Sequence, residues 1–326
     1  MRAWQSRHLG EPLDVLSLDE VDEPVASPGE VLVEIDATGL AYPEVLMCQG
    51  KYQGATPNPY TPGGEVAGRV VALGDGVTGH AVGDRVVAMG GKGLAERNVV
   101  RAGLAFPIPD ALSAPKAAAI LVNYGTSWFA LHERGVLQSG EWLLVHGGAG
   151  GVGSSAVQLG LAAGARVIAT AGGPEKVALC RQLGAEHVID YLAQPNFVEE
   201  VRDITDGHGV DVCYDPVGGE VLRKSQRCMA WDGRLLVVGF VGGIADAPTN
   251  HILLKNYSIV GVHWGASLAR DPGRLPRAAE RLLAMAAVGE IDPLVYPPYS
   301  MAQGARALQD LADRRTWGKA IVEPRR

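Results

Sequence analysis

The sequence is short of cysteine. Only Cys48, Cys180, Cys213 and Cys228 occur in 326 residues, and no two stand at the spacing of a zinc knuckle or a redox dithiol. They read as ordinary buried or half-buried thiols. Positive charge is also scarce. The net charge is −7, which argues against a nucleic-acid footprint. No apolar run reaches the length of a membrane span. Met1-Arg2-Ala3-Trp4-Gln5 leads into no apolar segment of a signal peptide, so a cytoplasmic location is the default expectation. What is plentiful is glycine, with 43 residues in a chain that is 47% apolar and 20% charged. That balance suits a soluble globular enzyme. The length suggests two domains.

The glycines concentrate at one informative place. Trp142-Leu143-Leu144-Val145 reads as a buried strand. Gly147-Gly148-Ala149-Gly150-Gly151-Val152-Gly153 follows at once, then a helical stretch to about Ala163, then a second apolar run, Arg166-Val167-Ile168-Ala169-Thr170. Gly148, Gly150 and Gly153 fit G-x-G-x-x-G, the fingerprint of a dinucleotide site. Alone the fingerprint is weak. The strand before it, the helix after it and the second strand make it strong. The glycines allow a tight turn and a close approach of the pyrophosphate, whose charge meets the N–H groups of the helix start.

A second absence selects the cofactor. An NAD site carries an acid about twenty residues past the glycines, to accept from the ribose 2′-OH. Ala171-Gly172-Gly173 stand there instead, followed by Pro174, Glu175 and Lys176. The space is uncharged and a lysine lies beyond it, so NADPH is favoured over NADH. Lys176 reads as a partner of the 2′-phosphate, with a solvated helix lysine as the alternative. Glu175 could still reach a ribose hydroxyl.

The rest of the chain falls into two styles. Up to about residue 120, short period-two runs such as Glu30–Ile35, Glu65–Leu73 and Asp84–Ala88 alternate with Gly and Pro, which predicts a compact antiparallel β unit. Beyond that, strands alternate with helices. The later strands are Val188–Asp190, Val210–Tyr214, Arg234–Val238 and Ser258–Val262. With the first two they make six, enough for a doubly wound parallel sheet. A helix follows around Pro276 to Val288. Lys319-Ala320-Ile321-Val322 reads as a terminal strand that returns to the first domain.

These residues resemble the medium-chain dehydrogenase/reductase superfamily, in its zinc-free quinone oxidoreductase (zeta-crystallin-like) branch. The resemblance rests on Pro62-Gly63-Gly64-Glu65-Val66-Ala67-Gly68, Tyr124-Gly125-Thr126, Ala130–Arg134, Gly140 to Gly153, Leu183-Gly184-Ala185, Asp215–Gly219 and Trp317-Gly318-Lys319. It covers essentially the whole chain. It implies an α/β fold, with a GroES-like antiparallel β domain (residues 1–122 and 265–326) and a Rossmann NADPH-binding domain (residues 123–264). A cleft between them and a homodimer through the last Rossmann strand, 258–262, are also implied. Zinc-dependent relatives hold a catalytic metal where this chain has Ala41, Gly64 and Asn123, and the lobe of four structural cysteines is missing after Met89. No metal is therefore expected.

The resemblance also places candidate residues. Asn123, Thr126, Val217, Gly239, Phe240, Gly318 and Lys319 fall near the cofactor, beside Gly148, Gly150, Gly151, Val152, Gly153, Gly172 and Lys176. Tyr191 is set at the adenosine end, or else is a plain surface aromatic. Tyr42 and Tyr52 lie in a first-domain loop, with Asn123 the third catalytic candidate. Tyr52 stands where enoyl thioester reductases carry a proton-donating tyrosine. A phenol with an ordinary pKa of about 10 can donate to a developing enolate. An aromatic wall of the pocket is the preferred reading, because water can supply that proton. Glu65 is read as tying loops together. His132 and His146 are read as structural, since neither has a metal-spaced partner.

Three functions follow. The first is an NADPH-dependent, zinc-independent reductase of quinones or α,β-unsaturated carbonyls. The second is an enoyl thioester reductase acting on coenzyme A or carrier-protein substrates. It ranks lower, since no Lys/Arg cluster accompanies the first-domain loop. The third is a non-catalytic NADPH-binding protein. The expected partners are a small-molecule acceptor and a second copy of the chain, with no nucleic acid and no membrane.

Overall fold

The structure, a computed structural model, describes residues 1–326. The chain forms two compact units, Met1–Asn123 with Pro272–Arg326, and Tyr124–Asp271. In the first unit, β1 (Arg2–Ser6) and β2 (Leu16–Glu20) make an antiparallel hairpin. β3 (Glu30–Leu40) is the organising strand. It pairs antiparallel with β4 (Glu65–Leu73) and with β6 (Arg97–Arg101). β5 (Arg85–Met89) joins β4 to β7 (Ala105–Pro107). The period-two pattern lands as expected. Val31, Val33 and Ile35 are fully buried and pack on Val66, Val70, Val86 and Val100, while Glu30, Glu34 and Asp36 are not buried; Leu32, on the other face, is buried as well.

The second unit is a six-stranded parallel sheet of β8 (Trp142–Val145), β9 (Arg166–Ala171), β10 (His187–Asp190), β11 (Val210–Asp215), β12 (Met229–Val237) and β13 (Ser258–Gly261). Their spatial order is β10-β9-β8-β11-β12-β13. Every residue of β8 is buried, as befits a central parallel strand covered on both faces. The chain winds outward from β8 to β10, then crosses back to β11. That reversal is a topological switch point, where open α/β sheets bind ligands beyond the strands' C-terminal ends. β12 begins at Met229 rather than at Arg234, where its apolar run starts, around an irregular register between Val210 and Val212.

The helix expected near Pro276 runs Arg274–Ala287. It buries Leu275, Ala278, Ala279, Leu282, Leu283 and Ala286, one face at helical spacing. β14 (Tyr299–Ser300) and β15 (Ala320–Glu323) then complete the first unit. β15 lies antiparallel to β3, with Ala320 opposite Leu40, so the terminal strand does return to the first sheet. β14 runs parallel to β15, an exception in an otherwise antiparallel sheet. The fold is a Rossmann-type parallel sheet plus a GroES-like antiparallel β unit. No helix is long and apolar enough to cross a membrane.

Candidate functional site

In the second unit the site grows from the turn after β8. The helix Gly151–Ala162 starts from Gly150, and no side chain caps it. Its first N–H groups are therefore available to an anion, with the positive end of the helix dipole behind them. Gly153 is required by space. A Cβ there would overlap the Gly147 carbonyl oxygen, so any larger residue would push the helix off the turn. The Ser127 hydroxyl docks the entering helix here. It hydrogen-bonds to Val152 O at 3.0 Å, Ser155 Oγ at 2.8 Å and Tyr214 Oη at 2.9 Å.

The next strand ends build the far side. β9 closes at Ala171, and Gly172 lies under the ring of Tyr191, whose Oη would sit 2.5 Å from a Cβ on Gly172. Asp190 Oδ1 accepts hydrogen bonds from Gly173 N and Leu192 N, both at 3.0 Å. The Gly173 bond first, then the Leu192 bond, holds its carboxyl below the usual carboxylate range. Lys176 is in the first turn of the helix Pro174–Gln182. At the ends of β11 and β12, Asp215 Oδ1 accepts from Val217 N at 2.7 Å and Gly218 N at 2.9 Å. Gly218 packs directly against Phe240, and Val217 O accepts from Gly242 N. The structure thus gathers Gly148, Gly150, Gly151, Val152, Gly153, Gly172, Lys176, Tyr191, Val217, Gly239 and Phe240 along the C-terminal edge of one sheet.

The first unit holds a different group. Lys319 and Glu65 are both buried, with Nζ 3.0 Å from Glu65 Oε2 and 3.4 Å from Asn123 Oδ1. Glu65 also accepts from Leu121 N and Val122 N. Burial pushes its carboxyl up, against the pull of the Lys319 ammonium. Glu44, also buried, accepts from Ala41 N at 2.5 Å, Gly63 N at 2.9 Å and Gly64 N at 2.5 Å. Tyr42 opens the helix Tyr42–Cys48 and Tyr52 follows in the loop, both half-buried. Gly318 is pressed against the Leu294 backbone.

The comparisons with known proteins agree on one family. The sequence model of the alcohol dehydrogenase GroES-like domain matches residues 27–110, and that of the zinc-binding dehydrogenase matches residues 151–284. A quinone oxidoreductase-like protein 2 homolog from Nematostella vectensis is 34% identical, covering 98% of this chain and 88% of its own. The chain belongs to the medium-chain dehydrogenase/reductase superfamily, a family of oxidoreductases. Among its solved members, the quinone oxidoreductase from Thermus thermophilus, studied also as its complex with NADPH, is 34% identical with a TM-score of 0.85. The alignment covers 99% of this chain and 100% of that one. The CurK enoyl reductase is 25% identical with a TM-score of 0.89, over 99% of this chain and 98% of its own.

Zinc appears in the name of one matching family, so the donor set matters. At the positions the resemblance equates with zinc ligands, this member of the superfamily offers no metal-binding cluster. Ala41 and Gly64 have no ligand side chain, and their N–H groups donate to Glu44. Asn123 Oδ1 faces the Lys319 ammonium. No group of three or more His, Cys, Asp or Glu is arranged to hold a metal. These residues do not fit a zinc ion. Asp190 and Glu44 are carboxylates whose backbone partners the sequence does not reveal. Asp190 could have been suspected as an acid at a strand end, one residue before Tyr191. Glu44 had only a weak signal, near the start of a helix.

Proposed function

We propose that this chain is an NADPH-dependent, zinc-independent reductase that passes hydride to a quinone or an α,β-unsaturated carbonyl compound. The adenosine corner carries the cofactor choice. Gly172 and Gly173 bring no charge to the strand end, the Tyr191 ring packs on Gly172, and Lys176 stands one helical turn on. Of the two acids nearby, Asp190 spends an oxygen on two backbone N–H groups, and Glu175 lies in the first turn of the next helix, beside Lys176. The likeness to a quinone oxidoreductase solved with NADPH supports the same choice.

When bound, NADPH supplies a hydride from its nicotinamide C4. The chain's task is to hold it and orient the acceptor. The uncapped helix at Gly151–Gly153 receives the pyrophosphate, and Thr126, Val217, Gly239 and Phe240 extend the binding edge. For the first unit, the resemblance supports Tyr42, Tyr52 and Asn123 on the acceptor side and Gly318 with Lys319 as cofactor contacts. The Lys319 ammonium itself is committed to Glu65, and its backbone N–H to Leu294 O. Without a Lewis acid to ionise an alcohol, the natural acceptor is one that is already electrophilic. β13 closes one edge of the parallel sheet and is only partly covered, which supports a homodimer through that strand.

The test is an NADPH and NADH titration followed by a panel of quinones and enones, with and without chelator. Turnover with NADPH that chelators leave untouched is expected. No turnover across the panel would sink the proposal, and tight NADPH binding without turnover would favour a non-catalytic role. Likeness to the CurK enoyl reductase keeps one second reading, an enoyl thioester substrate. A crotonyl thioester consumed much faster than the matching free enone would select it. Lys176→Ala should weaken NADPH about tenfold, the order expected of a charge-assisted hydrogen bond, and leave NADH unchanged. Equal losses would remove Lys176 from the phosphate site.

A further inference from the structure

His146 follows β8 directly, beside Asp215 at the end of β11, so it stands at the switch point of the parallel sheet. It is 1% exposed. Its ring meets Thr170 Oγ1 through Nδ1 at 3.1 Å and Ser225 Oγ through Nε2 at 2.8 Å. The Phe197 ring closes on it edge-on at 4.9 Å. Each neighbour has a further bond. The Ser225 hydroxyl donates to Val221 O at 2.8 Å. Thr170 Oγ1 accepts from Gly147 N at 3.4 Å, and Thr170 O accepts from Gly148 N at 2.9 Å.

Proton bookkeeping then orders the whole chain. A hydroxyl has one proton to give. Ser225 gives its proton to Val221, so its oxygen must accept, and Nε2 carries a hydrogen. A neutral imidazole then has a bare Nδ1, which accepts from Thr170. The Thr170 oxygen is left to accept from Gly147. The order runs Gly147 N–H to Thr170 O–H to His146 to Ser225 O–H to Val221, every donor used once and all pointing the same way. Bonds aligned in this manner polarise one another.

We propose that His146 is a positioning residue for the nucleotide loop, acting through a one-way hydrogen-bond chain that only the neutral, Nε2-protonated imidazole completes. The inference rests on the cofactor reading above. The chain ties together three segments that carry proposed cofactor residues: Gly147–Gly153, Thr170–Gly173 and Val217–Ser225. A proton on Nδ1 would turn that atom into a donor, and Thr170 would then have to rotate and compete with Gly147 for its own lone pairs. Asp215 is the charged group that faces the ring. Its Oδ1 is taken by Val217 and Gly218, and its Oδ2 is buried without a hydrogen-bond partner. Burial holds the imidazole below its ordinary pKa, against the pull of Asp215.

The experiment compares Thr170→Val, which keeps shape and removes the hydroxyl, with Thr170→Ser, which keeps the hydroxyl. NADPH dissociation constants are measured from about pH 8 to about pH 5.5, a range that brackets the ordinary imidazole titration, and the ring nitrogens of His146 are read by 15N NMR. The expected result is a loss of about tenfold in NADPH affinity for Thr170→Val, the scale of one buried hydrogen bond, with kcat at saturation unchanged. Thr170→Ser stays near wild type. Wild-type affinity weakens as pH falls, and Thr170→Val lacks that dependence. The NMR pattern shows a proton on Nε2 alone. A proton on Nδ1 at about pH 7.5, well above the ordinary imidazole pKa, or wild-type affinity in Thr170→Val, overturns the proposal. If the wild type binds no NADPH, the cofactor reading fails instead, and the ring's protonation decides this inference by itself.

Discussion

Lys319 brings a full positive charge into the interior of the first unit, where its exposure is 1% and that of its partner Glu65 is 0%. A buried pair of this kind is not a large source of stability, because desolvation offsets its attraction. Breaking one half is costly. Lys319→Met should therefore destabilise the protein by about 3–5 kcal/mol in urea unfolding, and adding Glu65→Gln should recover much of that loss. Equal stability of the single and double variants would show that the ammonium does not compensate the carboxylate. Residues of the glycine turn were legible because their spacing is local. Gly148, Gly150 and Gly153 lie within one short turn, and the space each needs follows from it. The partnership of Lys319 with Glu65 spans 254 positions, and no spacing rule reaches that far.

The element that decides most is the helical segment from Ile120 to Arg134. It is not a uniform α-helix. Wider π turns at Ile120–Tyr124 and Phe129–Arg134 flank the α turn Gly125–Trp128. Such insertions are frequent at functional sites, and the first of them carries Asn123 and Tyr124. Glu65 accepts from the N–H groups of Leu121 and Val122 within the first of them. The sequence reads this stretch as an ordinary helix, because hydrophobic spacing does not distinguish an i+5 turn. Ser127 fastens the α turn to the nucleotide helix. Ser127→Ala would leave the buried Tyr214 hydroxyl without its hydrogen-bond partner, and should cost about 1–3 kcal/mol. Denaturant melts of Ser127→Ala and of Ser127→Ala with Tyr214→Phe check it. The double variant should be the more stable of the two.

At the scale of the molecule, pH sets stability through groups whose proton affinity changes on folding. His146 titrates near 6.5 when unfolded and is held lower by burial when folded. On acidification the unfolded chain takes up that proton first. The contribution of His146 is therefore complete above the unfolded value of 6.5, declines below it, and is lost once pH passes the folded value. His146→Gln should be less stable than wild type at about pH 8, with the gap narrowing by about pH 5.5. A gap that stays constant or widens would mean the folded imidazole is not held neutral. Sedimentation should find a dimer if β13 pairs with its counterpart in a second copy, and a monomer at all concentrations would exclude that assembly.

The sequence by itself determined the two kinds of sheet, the glycine turn with its helix, and the acid-free strand end beside Lys176. Each of these is written in periodicity or short spacing, and neighbouring residues suffice to impose it. Tertiary structure alone decided that Gly172 lies beneath Tyr191, that Asp190 turns its charge onto the Gly173 and Leu192 backbone, and that the buried Glu44 and Glu65 are met by backbone N–H groups and, for Glu65, by Lys319. It also decided that the His146 ring meets Thr170 at the end of β9 and Ser225 at the end of a helix. Those outcomes depend on which strands become neighbours. That choice is made by the burial of whole faces against one another, and no stretch of sequence states it alone.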